Sequence, residues 1–368
     1  MKKILFLIHD LHHGGAEKVL VNLVNNMDPE QFEIHVTALF GGGINEQFLA
    51  PHVRFRAIYP KAFPGNSHVM KLLSPKLLHK IYVQEHYDVE IAYLEGPAAR
   101  IISGCTDPDT KTVVWIHCTM QSPEIFSLGF RNAAEARNCY SRFDRGVFVS
   151  RDVLEAFRKY FPMEHMQVLY NTNETDKILE LAAEPAELPG EGIRWCGMGK
   201  LVENKCFDRM LRIQKRLRDE GYPVHFLALG EGDQRPTLEK YVRDNGLQDY
   251  ITFLGYQTNP YKFVAKCDLF VCSSLSEGFS TAATEALIVG TPVCTVEVSG
   301  MREMLGENNE WGIVTVNDED ALYEGIRTLL DDPMLLEHYK EMAARRGGVF
   351  STDNTVRAVQ EMLLKKEE

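Results

Sequence analysis

The feature that most constrains this chain is an alternation, run through twice, of short apolar segments with stretches of helical periodicity. In the first half the apolar segments are Ile4–Ile8, Glu33–Phe40, Val53–Ile58, Val89–Leu94, Val113–His117 and Arg145–Val149. In the second they are Gly192–Met198, His225–Leu229, Ile251–Leu254, Leu269–Ser273 and Pro292–Val296, with helices expected over Phe207–Glu220, Pro236–Asn245 and Thr281–Val289. Strands of this length separated by helices build a parallel sheet covered on both faces. The fold class expected is therefore α/β, with two Rossmann-like, doubly wound parallel-sheet domains. Residues 171–192 are acidic and hold Pro185 and Pro189, as a linker or hinge would. The expected division is 1–175, 190–350, and a final helix near Thr352–Leu364 within 351–368.

Composition narrows the function. The net charge of −12 argues against a nucleic-acid partner, because phosphate binding rests on clustered Lys and Arg. The imbalance is uneven: residues 1–170 hold 18 basic and 18 acidic side chains, residues 171–368 hold 22 and 34. The eight cysteines form no C-x-x-C pair, so they read as reduced, buried thiols in a cytoplasmic protein. No apolar run reaches the roughly 18 residues of a membrane span. The first residues read as a buried strand and not a signal peptide, since Asp10 and His12–His13 follow the apolar run too soon. Those histidines, with His9, are not spaced as a metal set.

Ligands of open α/β sheets bind beyond the carboxyl ends of the strands, so the chemistry is sought in the loops there. The most informative loop follows the strand ending at Ser273. It carries Glu277-Gly278-Phe279 and leads into a helix capped by Ser280 or Thr281. Backbone N–H groups at that helix start would form an anion site. Glu277 would stand at its mouth, with Glu285 on the first turns. Gly14-Gly15 after the first strand would let backbone approach a ligand closely.

Glu277 and Glu285 are separated by seven residues. Around them lie Asn259-Pro-Tyr, Asp268-Leu-Phe-Val, Gly290-Thr-Pro-Val293 and Gly300-Met-Arg-Glu303, and further off Gly14-Gly15-Ala16-Glu17, Gly199-Lys-Leu201 and Gly230-Glu-Gly232. Across nearly its whole length the chain resembles the retaining GT-B glycosyltransferases of family 4, in the style of lipopolysaccharide, capsule and exopolysaccharide enzymes. The resemblance implies two Rossmann-like domains facing across a cleft, the second binding a nucleotide sugar and the first an acceptor. It implies that Glu285 bonds the donor ribose and Glu277 the donor sugar. The amides of Gly278, Phe279, Ser280 and Thr281 would hold the diphosphate, with Lys200 and Lys205 neutralising it. Lys200 stands where the family usually has Arg, a residue with a bidentate fork in place of a point charge. His117, at a strand's carboxyl end, would lie near the donor sugar, and Gly14 and Gly15 near the diphosphate. The final helix would cross back onto the first domain.

The expected reaction moves a hexose or N-acetylhexosamine from a nucleotide sugar, UDP-linked in most relatives, to a hydroxyl of a glycan or lipid-linked acceptor. No metal and no resident cofactor is implied. Two alternatives remain open on sequence: a non-catalytic GT-B partner of another transferase, and a GT-B epimerase or phosphorylase-like enzyme. Asp107-Pro-Asp109 matches the D-x-D element of the GT-A fold but precedes a strand, and reads as turn chemistry. Asn171-Thr-Asn173 stands where relatives have an Asn-Gly turn.

Residues 47–84 contain no Asp or Glu. Lys71, Lys76 and Lys80 there are interleaved with Val69, Met70, Leu72, Leu73, Leu77, Leu78 and Ile81. Basic and apolar residues mixed in this way are expected to rest on the anionic inner face of a membrane. An ordinary helix packed by its apolar face is the other reading.

Overall fold

The computed structural model describes residues 1–12, 14–63, 70–119 and 122–365. The chain divides into two compact units, Met1–Asn173 with Thr352–Glu368, and Glu174–Ser351. His13 and Val69 lie outside the described residues.

In the first unit seven parallel strands are β1 (Lys2–Ile8), β2 (Phe32–Phe40), β3 (Arg54–Tyr59), β4 (Val89–Tyr93), β5 (Lys111–Ile116), β6 (Arg145–Phe148) and β7 (Met166–Val168). They are ordered β3-β2-β1-β4-β5-β6-β7. Phe6 lies opposite Val36 on one side and Ile91 on the other, so the central strands are buried on both faces. This is why they read as continuous apolar runs. β7 was not legible in sequence, because Met166-Gln-Val168 is three residues long and only half-buried. The helix Thr352–Leu364 belongs to this unit: Lys2 Nζ donates to the Leu363 carbonyl at 2.7 Å, and the Asp28 amide donates to Gln360 at 2.8 Å.

In the second unit β8 (Ile193–Met198), β9 (Val224–Leu229), β10 (Ile251–Gly255), β11 (Leu269–Cys272), β12 (Val293–Val296) and β13 (Ile313–Thr315) form a six-stranded parallel sheet ordered β10-β9-β8-β11-β12-β13. Its core gathers Trp195, Phe226, Leu269, Val271 and Ile326. The segment read as a linker differs from expectation. It begins with a helix, Thr175–Ala182, that belongs to the second unit. Ile178 packs there with Tyr261 and Ile288, and the Leu181 carbonyl accepts from Asn259 Nδ2 at 2.9 Å. The acidic composition hid a short apolar stripe, and the break between units falls after Asn173. Both sheets are doubly wound and Rossmann-like, the two-domain α/β pattern of GT-B. In each the strand order reverses once, between β1 and β4 and between β8 and β11. That reversal opens a crevice beyond the strands' carboxyl ends.

Candidate active site

Two of the sequence-derived residues, Lys205 and Glu277, meet at the reversal point of the second unit. Lys205 follows β8 and Glu277 follows β11, and these two strands are neighbours. Lys205 Nζ donates to Glu277 Oε1 at 2.5 Å, and Ser274 Oγ donates to the same oxygen at 2.7 Å. Glu277 is thus held by a cation and a hydroxyl. Charge-assisted bonds of this kind are short and strong.

The loop carrying Lys205 is itself constrained. Cys206 adopts a left-handed conformation, φ 48° and ψ 46°, which a residue with a Cβ seldom takes. Ser273 Oγ donates to the carbonyls of both Lys205 and Cys206, at 3.0 and 2.9 Å. Leu275 N donates to the Asn204 carbonyl, tying the loops after β8 and β11 together. Strain at Cys206 is thereby held in place by the strand that also presents Glu277, a pattern associated with functional sites. On the other side, the loop after β9 presses against that after β8. A Cβ on Gly230, at φ +139°, would fall 1.8 Å from the Gly199 carbonyl oxygen, so only glycine permits the approach. Lys200, next in that loop, is exposed.

The helix Thr281–Ile288 begins directly after Phe279-Ser280. Ser280 is the cap: its Oγ accepts from the Ala283 amide at 3.3 Å. The amides of Thr281 and Ala282 precede the first intrahelical bond and point out of the helix end. Phe279 contributes backbone to this turn while its buried ring packs edge-on to Phe350. Glu285, one turn along, is only 5% exposed and accepts from Tyr261 Oη at 3.0 Å. Tyr261 stands in a quoted motif and Ser274 directly follows the strand end at Ser273, neither with an assigned role. Only the folded chain shows that each holds one of the two glutamates.

The remaining sequence-derived residues lie in the first unit. Gly14 is extended, φ −155°, and caps the helix Gly15–Asn26; a Cβ on it would collide with the Glu17 carboxylate. His117 follows β5 and is 7% exposed, packed on the Tyr93 ring at 4.6 Å. Its Nε2 has no hydrogen-bond partner among the described residues. Burial pushes its pKa down to about 3, so the imidazole is neutral at physiological pH. Lys76 and Lys80 are exposed on the helix Pro75–Tyr82, and Lys71 is half-buried ahead of it. Leu72, Leu77 and Ile81 are exposed beside them. Arg100, fully buried, and Arg131 hold this segment through the carbonyls of residues 70–73.

The Asp107-Pro-Asp109 segment is a turn before β5, with Asp107 Oδ1 accepting from the Asp109 amide at 3.0 Å. His79, Glu90 and Cys105 bring ligand-type atoms within 4.8 Å of one another. His79 Nε2 stands 2.6 Å from Glu90 Oε2. Zinc bonds of about 2.0–2.2 Å would set two tetrahedral ligands farther apart than this, so the contact has the dimensions of a hydrogen bond.

Known protein families match both units of the chain. The description "Glycosyl transferases group 1" matches residues 184–346, and "Glycosyltransferase Family 4" matches residues 13–177. The chain belongs to the family 4, group 1 glycosyltransferases. Over 99% of its length and 100% of the relative's, it is 26% identical to the N-acetylgalactosamine-N,N'-diacetylbacillosaminyl-diphospho-undecaprenol 4-alpha-N-acetylgalactosaminyltransferase of Campylobacter jejuni. It is 26% identical to the lipopolysaccharide core biosynthesis glycosyltransferase LpsD of Rhizobium meliloti, over 54% of this chain and 57% of that one. Among solved structures it is similar to Anabaena Alr3699/HepE in complex with UDP and glucose, with a TM-score of 0.78, 20% identity and full coverage of both chains. The sucrose-phosphate synthase of Thermosynechococcus elongatus gives a TM-score of 0.78 at 14% identity, covering 98% of each chain. These likenesses establish the GT-B fold. As a family member the chain is a group 1 glycosyltransferase of polysaccharide and glycoconjugate biosynthesis. No helix among the described residues is long and apolar enough to cross a membrane.

Proposed function

We propose that this transferase moves a hexose or N-acetylhexosamine from a UDP-sugar to a hydroxyl of a glycan or lipid-linked acceptor, with retention at the anomeric carbon. One observation carries the reading: the Lys205–Glu277–Ser274 contact, at the start of a helix that bears Glu285. A diphosphate seated at that helix start meets outward amides and the Lys205 ammonium, with Lys200 close by in sequence. When the bond from the anomeric carbon to the diphosphate oxygen breaks, its electron pair leaves with the diphosphate. Preorganised amides and ammonium groups stabilise that charge, and positive charge builds on the sugar beside Glu277. The acceptor oxygen attacks from the face the diphosphate leaves, and its proton passes to the departing phosphate oxygen. Fixed cations then do the work that a divalent ion does elsewhere. In the first unit, neutral His117 and the pair Gly14 and Gly15 are the groups that the family resemblance assigns to the donor.

The relatives support the donor and the acceptor class. Similar structures hold UDP, and the Campylobacter jejuni relative is named for a diphospho-undecaprenol substrate. The lysines and exposed apolar side chains of residues 71–81 suit a protein resting on the cytoplasmic face of a membrane. A panel of nucleotide sugars tested by thermal shift and by transfer in EDTA checks the reading. The expected result is selective stabilisation by a UDP-sugar and turnover that survives chelation. Donor binding with no turnover on any acceptor would instead favour a non-catalytic partner, and release of an epimerised sugar an epimerase.

A further inference from the structure

The first unit holds a cavity of about 390 Å³, within the range of about 300–1,000 Å³ common to small-molecule sites. It sits where the strand order of that sheet reverses. His9 reaches it from the end of β1, Glu95 and Gly96 from the end of β4, and Cys118 and Thr119 from the end of β5. This is where open α/β sheets take their ligands. All of its lining belongs to the first unit, whereas Lys205 and Glu277 belong to the second.

Its chemistry is uneven. Most of the wall is apolar, with Leu78, Ile101, Ile125, Phe126 and Leu128 among the lining side chains. Against this stands the Glu95 carboxylate. Its Oε2 accepts from the His117 amide at 3.1 Å, which orients the group. The Glu95 amide and the Cys118 thiol also bond this carboxylate, so of its about four lone-pair positions roughly one remains for a donor from a ligand. Burial raises the pKa of Glu95, as expected for a carboxyl in an apolar chamber. At the margin Leu128 is 73% exposed and Leu72, beside the lining Lys71, is 79% exposed. Large apolar side chains at a cavity margin suit a ligand continuing into an apolar tail.

Against these apolar walls each sugar hydroxyl is costly unless it finds a partner, so replacing one with a less polar group is favourable. An acetamido group fits better, because it offers a methyl and one N–H side by side. We propose that this cavity seats the acceptor and selects an N-acetylated sugar, its methyl against the apolar wall and its N–H donating to Glu95. This deepens the glycosyltransferase reading and rests on it. Glu95 is then a specificity residue on the acceptor side.

Cys118 provides the test, being a cavity-lining thiol and the exposed one of the eight cysteines. Alkylation of Cys118 in the full chain, followed by peptide mass spectrometry, is measured with octyl N-acetylglucosaminide or octyl glucoside present. The N-acetylated probe should slow labelling several-fold and the glucoside should not. In Glu95→Gln the difference should shrink, while thermal stabilisation by UDP stays at the wild-type value. Equal protection by both probes, or protection by neither, overturns the proposal, and this comparison needs no variant to fold. Loss of UDP stabilisation in the wild type would count against the donor reading and leave the labelling result to stand by itself.

Discussion

Lys205 Nζ lies 2.5 Å from Glu277 Oε1 although 72 residues separate them in the chain. The pair is partly exposed, so it adds little to stability. Its importance is chemical, since it places a cation and a carboxylate at one helix start. Lys205→Ala should lower kcat by about 100- to 1,000-fold, the usual loss for one charge-stabilising group, and weaken UDP as well. Glu277→Gln should lose comparable turnover yet bind UDP like the wild type. Isothermal titration with UDP beside initial-rate measurements separates the two, and UDP affinity unchanged in Lys205→Ala would contradict the assignment.

Tyr261 donates to Glu285 at 3.0 Å in a buried setting. Without it the glutamate loses an orienting bond. Tyr261→Phe should weaken UDP by roughly fivefold, about 1 kcal/mol for one hydrogen bond. The loss should vanish for 2′,3′-dideoxy-UDP, which lacks the ribose hydroxyls that Glu285 is proposed to hold. A penalty equal for both nucleotides would make Tyr261 a packing residue only.

His79 gives a signature in pH. Burial by itself lowers its pKa, but hydrogen bonds to Cys105 and Glu90 outweigh this and hold it at about 9, above the ordinary 6.5. The folded state therefore binds the proton more tightly than the unfolded chain. The resulting stability is complete below about pH 6.5 and is lost as pH rises through 9. His117, held down near 3 by burial, acts in the opposite sense, and its contribution is lost as pH falls from 6.5 toward 3. Urea midpoints should decline on both sides of about pH 6.5. His79→Gln should flatten the alkaline limb alone, and an unchanged limb would show that the His79 pair is not the cause.

Lys76 and Lys80 are exposed beside Leu72, Leu77 and Ile81. Each lysine near an anionic surface contributes about 1 kcal/mol at moderate salt. Replacing Lys71, Lys76 and Lys80 together with Gln should reduce co-sedimentation with phosphatidylglycerol vesicles by one to two orders of magnitude, about 1 kcal/mol per lysine. Half-buried Lys71 should contribute least. Turnover on a soluble acceptor should not change when Lys76 and Lys80 alone are replaced, since Lys71 also lines the cavity proposed for the acceptor. Wild-type protein that fails to bind such vesicles at low salt would remove the membrane contact from the proposal.

The amino-acid sequence by itself determined the architecture and singled out the residues proposed for the donor. Strands buried on both faces must be continuously apolar, so Ile4–Ile8 and Leu269–Cys272 could be read directly. Glu277, Ser280 and Glu285 were legible because a strand, a loop and a capped helix follow one another locally. Tertiary structure decided what depends on distant partners. It brought Lys205 and Ser274 to one oxygen of Glu277, and Tyr261 to Glu285. It turned an acidic stretch into the helix Thr175–Ala182, whose Ile178 has meaning only against Tyr261 and Ile288. It also gathered the ends of β1, β4 and β5 around Glu95, a residue with no local signal. Periodicity and capping are short-range and survive in one dimension. A hydrogen bond between separate strand ends exists only once the strand order is set.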